Sequence, residues 1–450
     1  MGQMNYWPAT LKNQRPPTLG RAASLTALME ELKQSQWLPY ESIENHQYAK
    51  LAVLAAHAAH HSPYFRERLA RGGIAAQDMA LYDGMKRLPL LTRGELQQVG
   101  TELYCERMPR SHFPLSEGKS SGSTGQPVTI RKTVLNQMFW CANMMREHAW
   151  HQRDFMGKTI NVRAAITAAH LQNDWGYPVN ILYPSAQTLN IPVTFSSRQL
   201  VDAIIEFRPS NLIIYPSTLK AVMALCEEEQ VSISGLQHIW CIGETLKPEL
   251  RVQASSLFGA QIEDDYSCNE VGIMALQCPE SGLYHVMAES VIIEVLGEDD
   301  DPCKEGEIGK VVVTDLHNYA TPMIRYDIGD YAEAGGPCPC GRGLPTLRSI
   351  SGRRRNLVVK PSGDRHFPAL SLAIFEANLP IRQFQLIQHS LQNVEVNLVT
   401  GRPLAAEDEA ILTTALHKGL DYPFDLRFTY FEGVIPCPEN GKFEEFISYV

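Results

Sequence analysis

Residues 120–127 read Ser120-Ser121-Gly122-Ser123-Thr124-Gly125-Gln126-Pro127. Two glycines free the backbone to curl its amides around an anion, and four hydroxyl side chains add donors. Phosphate is the natural ligand of such a loop. A flexible Ser/Gly linker has the same composition. A Walker loop is excluded by spacing. Gly118-Lys119-Ser120 supplies the end of that motif, but Phe113 stands where its first glycine is required.

On the carboxyl side of this loop the pattern turns α/β. From about Thr159, short apolar runs at 211–216 and 238–243 read as buried strands, and helical segments near 199–207 and 217–229 flank the first of them. That alternation predicts a parallel sheet covered by helices. After Glu289 alternating residues and Gly or Asp turns predict an antiparallel barrel or sheet. The final stretch predicts a strand at 394–401, a helix at roughly 405–419 and a strand from Asp425, a separate α/β unit of ordinary small-domain size.

On the amino side, the first hundred residues read as helices. Leu25, Leu28, Met29 and Leu32 recur at helical spacing behind Ser24, a predicted N-cap. An Ala-rich helix from Tyr48 to Ala59 is expected to end near Pro63.

The chain has 450 residues, 44% hydrophobic and 20% charged, which is too apolar for disorder and long enough for a large core. A net charge of −10 with no basic tail argues against nucleic acid as a partner. The longest apolar stretch, Leu51–Ala59, is short and carries His57, so no transmembrane helix is expected. Gly2 is followed by Tyr6 where a myristoylation signal wants Ser or Thr. The expectation is a soluble cytoplasmic protein with no membrane partner.

Ten cysteines in a chain without a signal-like leader read as reduced thiols or metal ligands. Cys278 and His285 lie seven apart, and Cys338 and Cys340 sit in Pro-Cys-Pro-Cys-Gly-Arg. Three thiolates and one imidazole make a closed tetrahedral set of the structural-zinc kind. Their loose spacing equally suits unligated thiols.

Four further motifs follow in order. They are Asp265-Tyr266-Ser267-Cys268-Asn269-Glu270-Val271-Gly272, Ile324-Arg325-Tyr326-Asp327-Ile328-Gly329-Asp330, Ser351-Gly352-Arg353-Arg354-Arg355-Asn356 and Pro438-Glu439-Asn440-Gly441-Lys442. Together with 120–127, and a short Gly243-Glu244-Thr245 turn, this series resembles the landmarks of the adenylate-forming superfamily, most of all its phenylacetate–coenzyme A ligase branch. The resemblance covers almost the whole chain.

It implies an α/β adenylate-forming fold: a large N-terminal domain of several subdomains (1–352) and a small mobile α+β C-terminal domain (353–450). It implies ATP-dependent activation of a carboxylic acid, aryl or arylacetic, followed by transfer to the thiol of coenzyme A. By resemblance Ser120, Ser121, Gly122, Ser123, Thr124 and Gly125 hold phosphates, Tyr266 lies against adenine, and Gly243 and Glu244 line the base pocket. Asp265 and Asn269 share the nucleotide segment, Glu270 holds Mg²⁺, and Asp330 accepts both ribose hydroxyls. Arg325 braces the site or makes a structural salt bridge; Arg353 contacts the nucleotide. Lys442 stabilises charge on the α-phosphate as the carboxylate attacks.

Ser267 and Asn269 depart from the family pattern, and Arg355 and Asn356 replace its paired aspartates, Arg355 at the hinge position. In part of the branch, positions similar to Cys278, His285, Cys338 and Cys340 bind a structural Zn²⁺. The segment from Ala164 to Pro192, with His170 and Trp175, borders the acid pocket by position. The resemblance leaves a carrier-protein thiol or an amine as the alternative acceptor and a homodimer as the further partner. A catalytically silent nucleotide-binding homologue is the rival class, motivated by Asn269, Arg355 and Asn356 and opposed by the retained Lys442 and Glu270.

Overall fold

The computed structural model describes residues 20–119, 128–370, 374, 377–436 and 443–450. The chain opens with helices α1 (Arg21–Ser35), α2 (Tyr40–His61), α3 (Pro63–Arg71) and α4 (Arg93–Val99). Gly20, not Ser24, is the N-cap of α1, and Ser24 already bonds back to Gly20 inside the first turn. Ser24 lies inside the first turn, so the hydroxyl signal there misleads. α2 begins at Tyr40, behind Pro39. α2 ends at His61, near Pro63 as expected, and Pro63 begins α3: Ser62 accepts the Phe65 amide, with Pro63 at the first helical position.

A hairpin of β1 (Ser116–Lys119) and β2 (Thr129–Lys132) leads into α5 (Val134–Trp150). Then follow β3 (Thr159–Arg163), β4 (His170–Gln172), β5 (Thr188–Pro192), α6 (Ser197–Phe207), β6 (Asn211–Ile214), α7 (Pro216–Glu228), β7 (His238–Cys241) and α8 (Pro248–Phe258). Next come β8 (Gln261–Cys268), β9 (Gly272–Gln277), β10 (Tyr284–Val286), β11 (Val291–Leu296), β12 (Ile308–Asp315), β13 (Tyr326–Ala334) and β14 (Thr346–Arg353). A twelve-stranded sheet runs in the order β11-β12-β13-β14-β10-β9-β8-β7-β6-β3-β5-β4. The block β5-β3-β6-β7-β8 is parallel, as the α/β alternation predicts. The antiparallel strands after Glu289 do not close on themselves but continue this sheet.

One face of the parallel block is apolar. Ile160, Val162, Leu212, Ile214, Ile239, Cys241 and Ile262 meet buried side chains of α6, α7 and α8. The other face is polar and lies under the end of α5. There Arg153 donates to Glu263 from Nε (2.7 Å) and to Glu147 from Nη2 (2.9 Å), with its guanidinium 4.3 Å over the Trp240 ring. His238 Nδ1 lies 2.6 Å from Glu263. Two buried carboxylates thus share one arginine, which keeps a charged layer tolerable inside the molecule. Arg146 makes a second such pair with Glu289 (2.8 Å), which also accepts from Ser35 (2.6 Å) and so joins α1 to α5.

The C-terminal part consists of β15 (Val358–Val359), β16 (Arg365–His366), β17 (Ile381–Gln388), β18 (Asn393–Thr400), α9 (Ala406–Leu420), β19 (Asp425–Tyr430) and β20 (Phe446–Ser448). Its four-stranded sheet, β19-β18-β17-β20, packs on α9 through Leu412, Leu416 and Leu420, a core of its own. A large N-terminal domain therefore carries a smaller one. Among the described residues no helix is long and apolar enough to cross a membrane.

The charged layer makes a pH prediction. His151 is buried beside Glu263 (3.3 Å), and burial pushes its pKa from 6.5 down to about 4. Between those values the unfolded chain binds the proton and the native chain does not, so stability is lost as pH falls through 6.5 toward 4. Urea unfolding should show a slope of up to ~1.4 kcal/mol per pH unit from this group. His151→Gln should flatten the slope; an unchanged slope would refute the assignment.

Candidate active site at the carboxyl ends of the parallel strands

Strand β8 belongs to two ladders. Gln261–Asp264 pair in parallel with β7, and Asp265–Cys268 pair antiparallel with β9, with a bulge between Tyr266 and Ser267. The change of partner comes where the parallel strands end, the place where open α/β sheets bind ligands. Tyr266 is buried, and its hydroxyl donates to Asp330 Oδ2 at 2.9 Å. Burial, and then the Asp330 charge, push the Tyr266 phenol well above its ordinary range, so it stays a donor. Asp330 is the register partner of Arg353, whose Nε lies 3.6 Å from Asp330 Oδ1. A carboxylate has about four acceptor sites, the chemistry that suits a diol.

Glu270 is buried in the turn between β8 and β9, and Arg93 at the start of α4 reaches it at 3.4 Å. Among the described residues this carboxylate has one long contact, which suits a hard cation shared with phosphate oxygens. Gly118 of β1 faces the Asn269 carbonyl, where an added Cβ would sit 3.7 Å away. Residues 120–125 and Lys442 lie outside the described residues. Asp265 accepts from Trp240 Nε1 at 3.2 Å. Burial pushes the Cys268 thiol up to about 12, so it offers no thiolate nucleophile.

Other predicted residues have structural partners. Gly243 has φ +72°, a turn conformation suited to glycine. Beside it the Glu244 carboxylate accepts from the Ser217 amide (2.8 Å) and hydroxyl (2.9 Å) at the N-terminus of α7. It also accepts the Phe443 amide at 3.0 Å. Arg325, at φ +50°, is buried on Glu294 (3.0 Å) and the carbonyls of Lys86 and Leu88. That is the salt-bridge alternative, and it fastens the segment before α4 to β11. Trp175 packs inward, donating to the Gly157 carbonyl at 2.9 Å, while His170 is exposed on edge strand β4.

The hinge position is tied to the residues just after Lys442. Arg355 pairs with Glu444 at 2.7 Å, and Asn356 donates to the Phe446 carbonyl at 2.7 Å. Glu445 pairs with Lys220 of α7 (3.1 Å) and with Lys247. Arg93, Lys220 and Lys247 belong to no motif, and only the tertiary structure brings them here.

Cys278, His285, Cys338 and Cys340 converge, with ligand atoms within 4.8 Å of one another. Cys278 and Cys338 sulfurs are 3.7 Å apart, and Cys340 Sγ is 3.3 Å from His285 Nε2. Tetrahedral zinc with bonds of about 2.3 Å to sulfur would separate two sulfurs by about 3.8 Å. Burial pushes His285 down to about 4, leaving the neutral imidazole that ligates metal.

The chain matches the AMP-binding enzyme family over residues 120–318 and the CapK C-terminal domain over 367–448. It is 24% identical over 345 residues to a phenylacetate-coenzyme A ligase of Thermus thermophilus, covering 72% of this chain and 73% of that protein. Among solved structures it shares the fold of 2-hydroxyisobutyryl-CoA ligase in the postadenylation state with R3-HIB-AMP (TM-score 0.76, 16% identity, 99% of this chain and 96% of that one). Against the same enzyme in the thioesterification state, with 2-HIB-AMP and CoA, the TM-score is 0.62 at 17% identity, covering 97% and 94%.

The contacts of Glu445 predict a local effect. Glu445→Gln should speed amide exchange at 443–446 roughly tenfold while changing global stability by less than ~1 kcal/mol, as expected for partly exposed pairs. Hydrogen exchange read by mass spectrometry checks it; unchanged exchange there would contradict the tether.

Proposed function

We propose that this chain, which belongs to the adenylate-forming superfamily, activates a carboxylic acid as its acyl-AMP and passes the acyl group to coenzyme A. The convergence of Tyr266, Asp330 and Arg353 beside Glu270, at the carboxyl ends of the parallel strands, carries the reading. An acid oxygen attacks the α-phosphorus of ATP, and the bond to pyrophosphate breaks. The coenzyme A sulfur then attacks the acyl carbon, and AMP leaves with the electron pair of the broken C–O bond.

In this reading Asp330 orients the ribose and Tyr266 fixes Asp330 while offering its ring to adenine. Arg353 adds positive charge, Ser120–Gly125 cradle the phosphates, and Gly243 shapes the base pocket. Glu244 anchors the segment that follows Lys442 through the Phe443 amide. Glu270 would hold Mg²⁺, which lowers the cost of charge on the phosphates. The lid begins at Arg353 and turns about Arg355. Tyr215 and Trp240, near the ends of β6 and β7, suit the flat face of an aryl or arylacetic acid. Reduced cysteines, none in a disulfide among those described, suit a cytoplasmic location.

Cys278, His285, Cys338 and Cys340 would hold one structural Zn²⁺. It would pin the loop between β13 and β14 to the β9–β10 hairpin, away from the chemistry.

Pyrophosphate exchange against a panel of acids, followed by product analysis with coenzyme A, tests the activity. Lys442→Ala should lower exchange by roughly 100-fold or more, and Asp330→Ala should raise the ATP KM about tenfold. Exchange without a coenzyme A thioester would move the acceptor to a carrier-protein thiol or an amine. No exchange with any acid would leave a silent nucleotide-binding protein. For the metal, elemental analysis should find one zinc per chain, and Cys278→Ser should lose it and lower the melting temperature by several degrees. Zinc well below one per chain in the unmodified protein would remove the assignment.

A further inference from the structure

The polar face of the parallel sheet carries its side chains in rows. Asn161, Ile213, Trp240 and Glu263 are register neighbours. Two residues further along each strand the side chains return to the same face. Arg163, Tyr215, the apolar Ile242 and Asp265 therefore form the next row, at the mouth of the crevice. The contacts agree: Tyr215 accepts the Ala164 amide at 3.3 Å, and Tyr215 and Asp265 are electrostatic neighbours of Arg163. Asp265 directly precedes Tyr266, so this row borders the nucleotide site.

Arg163 is partly buried and underpartnered. Its Nε donates to Asn161 Oδ1 at 2.9 Å, and Asn161 is itself fixed by Asn190 at 2.9 Å. A guanidinium has five N–H donors, and the four on its Nη atoms meet no acceptor among the described residues. The nearby acids are engaged elsewhere: Asp265 with Trp240 (3.2 Å) and Glu147 with Arg153 (2.9 Å). Burial is the largest influence on the Arg163 pKa and lowers it, while Tyr215, Asp265 and Glu147 pull it the other way, so the acids lie near a guanidinium fork that donates to none of them. Charges in such a place mark ligand sites, and the planar fork matches a carboxylate in two parallel hydrogen bonds. A neutral hydroxyl would accept from only part of that fork.

We propose that Arg163 binds a second carboxylate on the acid substrate, so that the enzyme selects dicarboxylic acids over their mono-acid counterparts. This rests on the adenylation reading above. Pyrophosphate exchange should be measured with matched pairs, benzoate against terephthalate and phenylacetate against 4-carboxyphenylacetate. Wild-type kcat/KM should be at least tenfold higher for a diacid than for its partner. Arg163→Leu should abolish that preference through KM, leaving mono-acid turnover unchanged, and Arg163→Lys should restore part of it. Wild-type preference for the mono-acids, or an unchanged ratio in Arg163→Leu, would overturn the role of Arg163 alone. If Arg163→Leu fails to fold, the wild-type pairs and Arg163→Lys still decide. Absence of exchange with every acid would instead overturn the adenylation reading, and this inference with it.

Discussion

The hydrogen bond from Tyr266 to Asp330 joins the two halves of the large sheet at the site. Tyr266 stands on β8 just after that strand leaves its parallel partner β7, and Asp330 stands on β13, three strands beyond β9 in the antiparallel block. A parallel ladder needs helical crossovers and an antiparallel one does not, so the two blocks place their loops differently. Where they meet, a bulge turns the strand and leaves a crevice whose walls come from both. The phenol–carboxylate contact closes that crevice at one point, and the burial that keeps Tyr266 protonated keeps the contact intact.

The polar underside of the parallel block has a related logic. Arg153 holds two buried acids beneath Trp240, so the floor of the crevice is a hydrogen-bonded polar layer. An apolar floor would repack around a small loss of volume. This one holds its geometry because moving any member strands a buried charge. Arg163, one row higher, has the same chemistry without the partners.

Much of this was readable in the chain. Apolar runs at 211–216 and 238–243 are β6 and β7, and the C-terminal strand–helix–strand pattern is β18, α9 and β19. Periodicity reports burial, and these elements are buried on the side the pattern marks. Other features depend on contacts distant in sequence. The N-cap at Ser24 failed because a hydroxyl within a first turn has the same local signature as one before it. Arg325 lies in a nucleotide-like motif, yet its left-handed backbone turns its guanidinium to Glu294. Local spacing could not choose between zinc ligands and separate thiols, because β10 and the loop before β14 meet only in the folded sheet.

The residues at the hinge position become intelligible through the tail. Arg355 answers Glu444 and Asn356 answers the Phe446 carbonyl, so both departures from an aspartate pair are matched by residues at the end of the chain. A related chain that restores an acid where Arg355 stands would set two negative charges against each other, and should therefore carry a neutral or basic residue in place of Glu444. Alignments of relatives should show the two columns exchanging sign together, a covariation between Arg355 and a position just before β20.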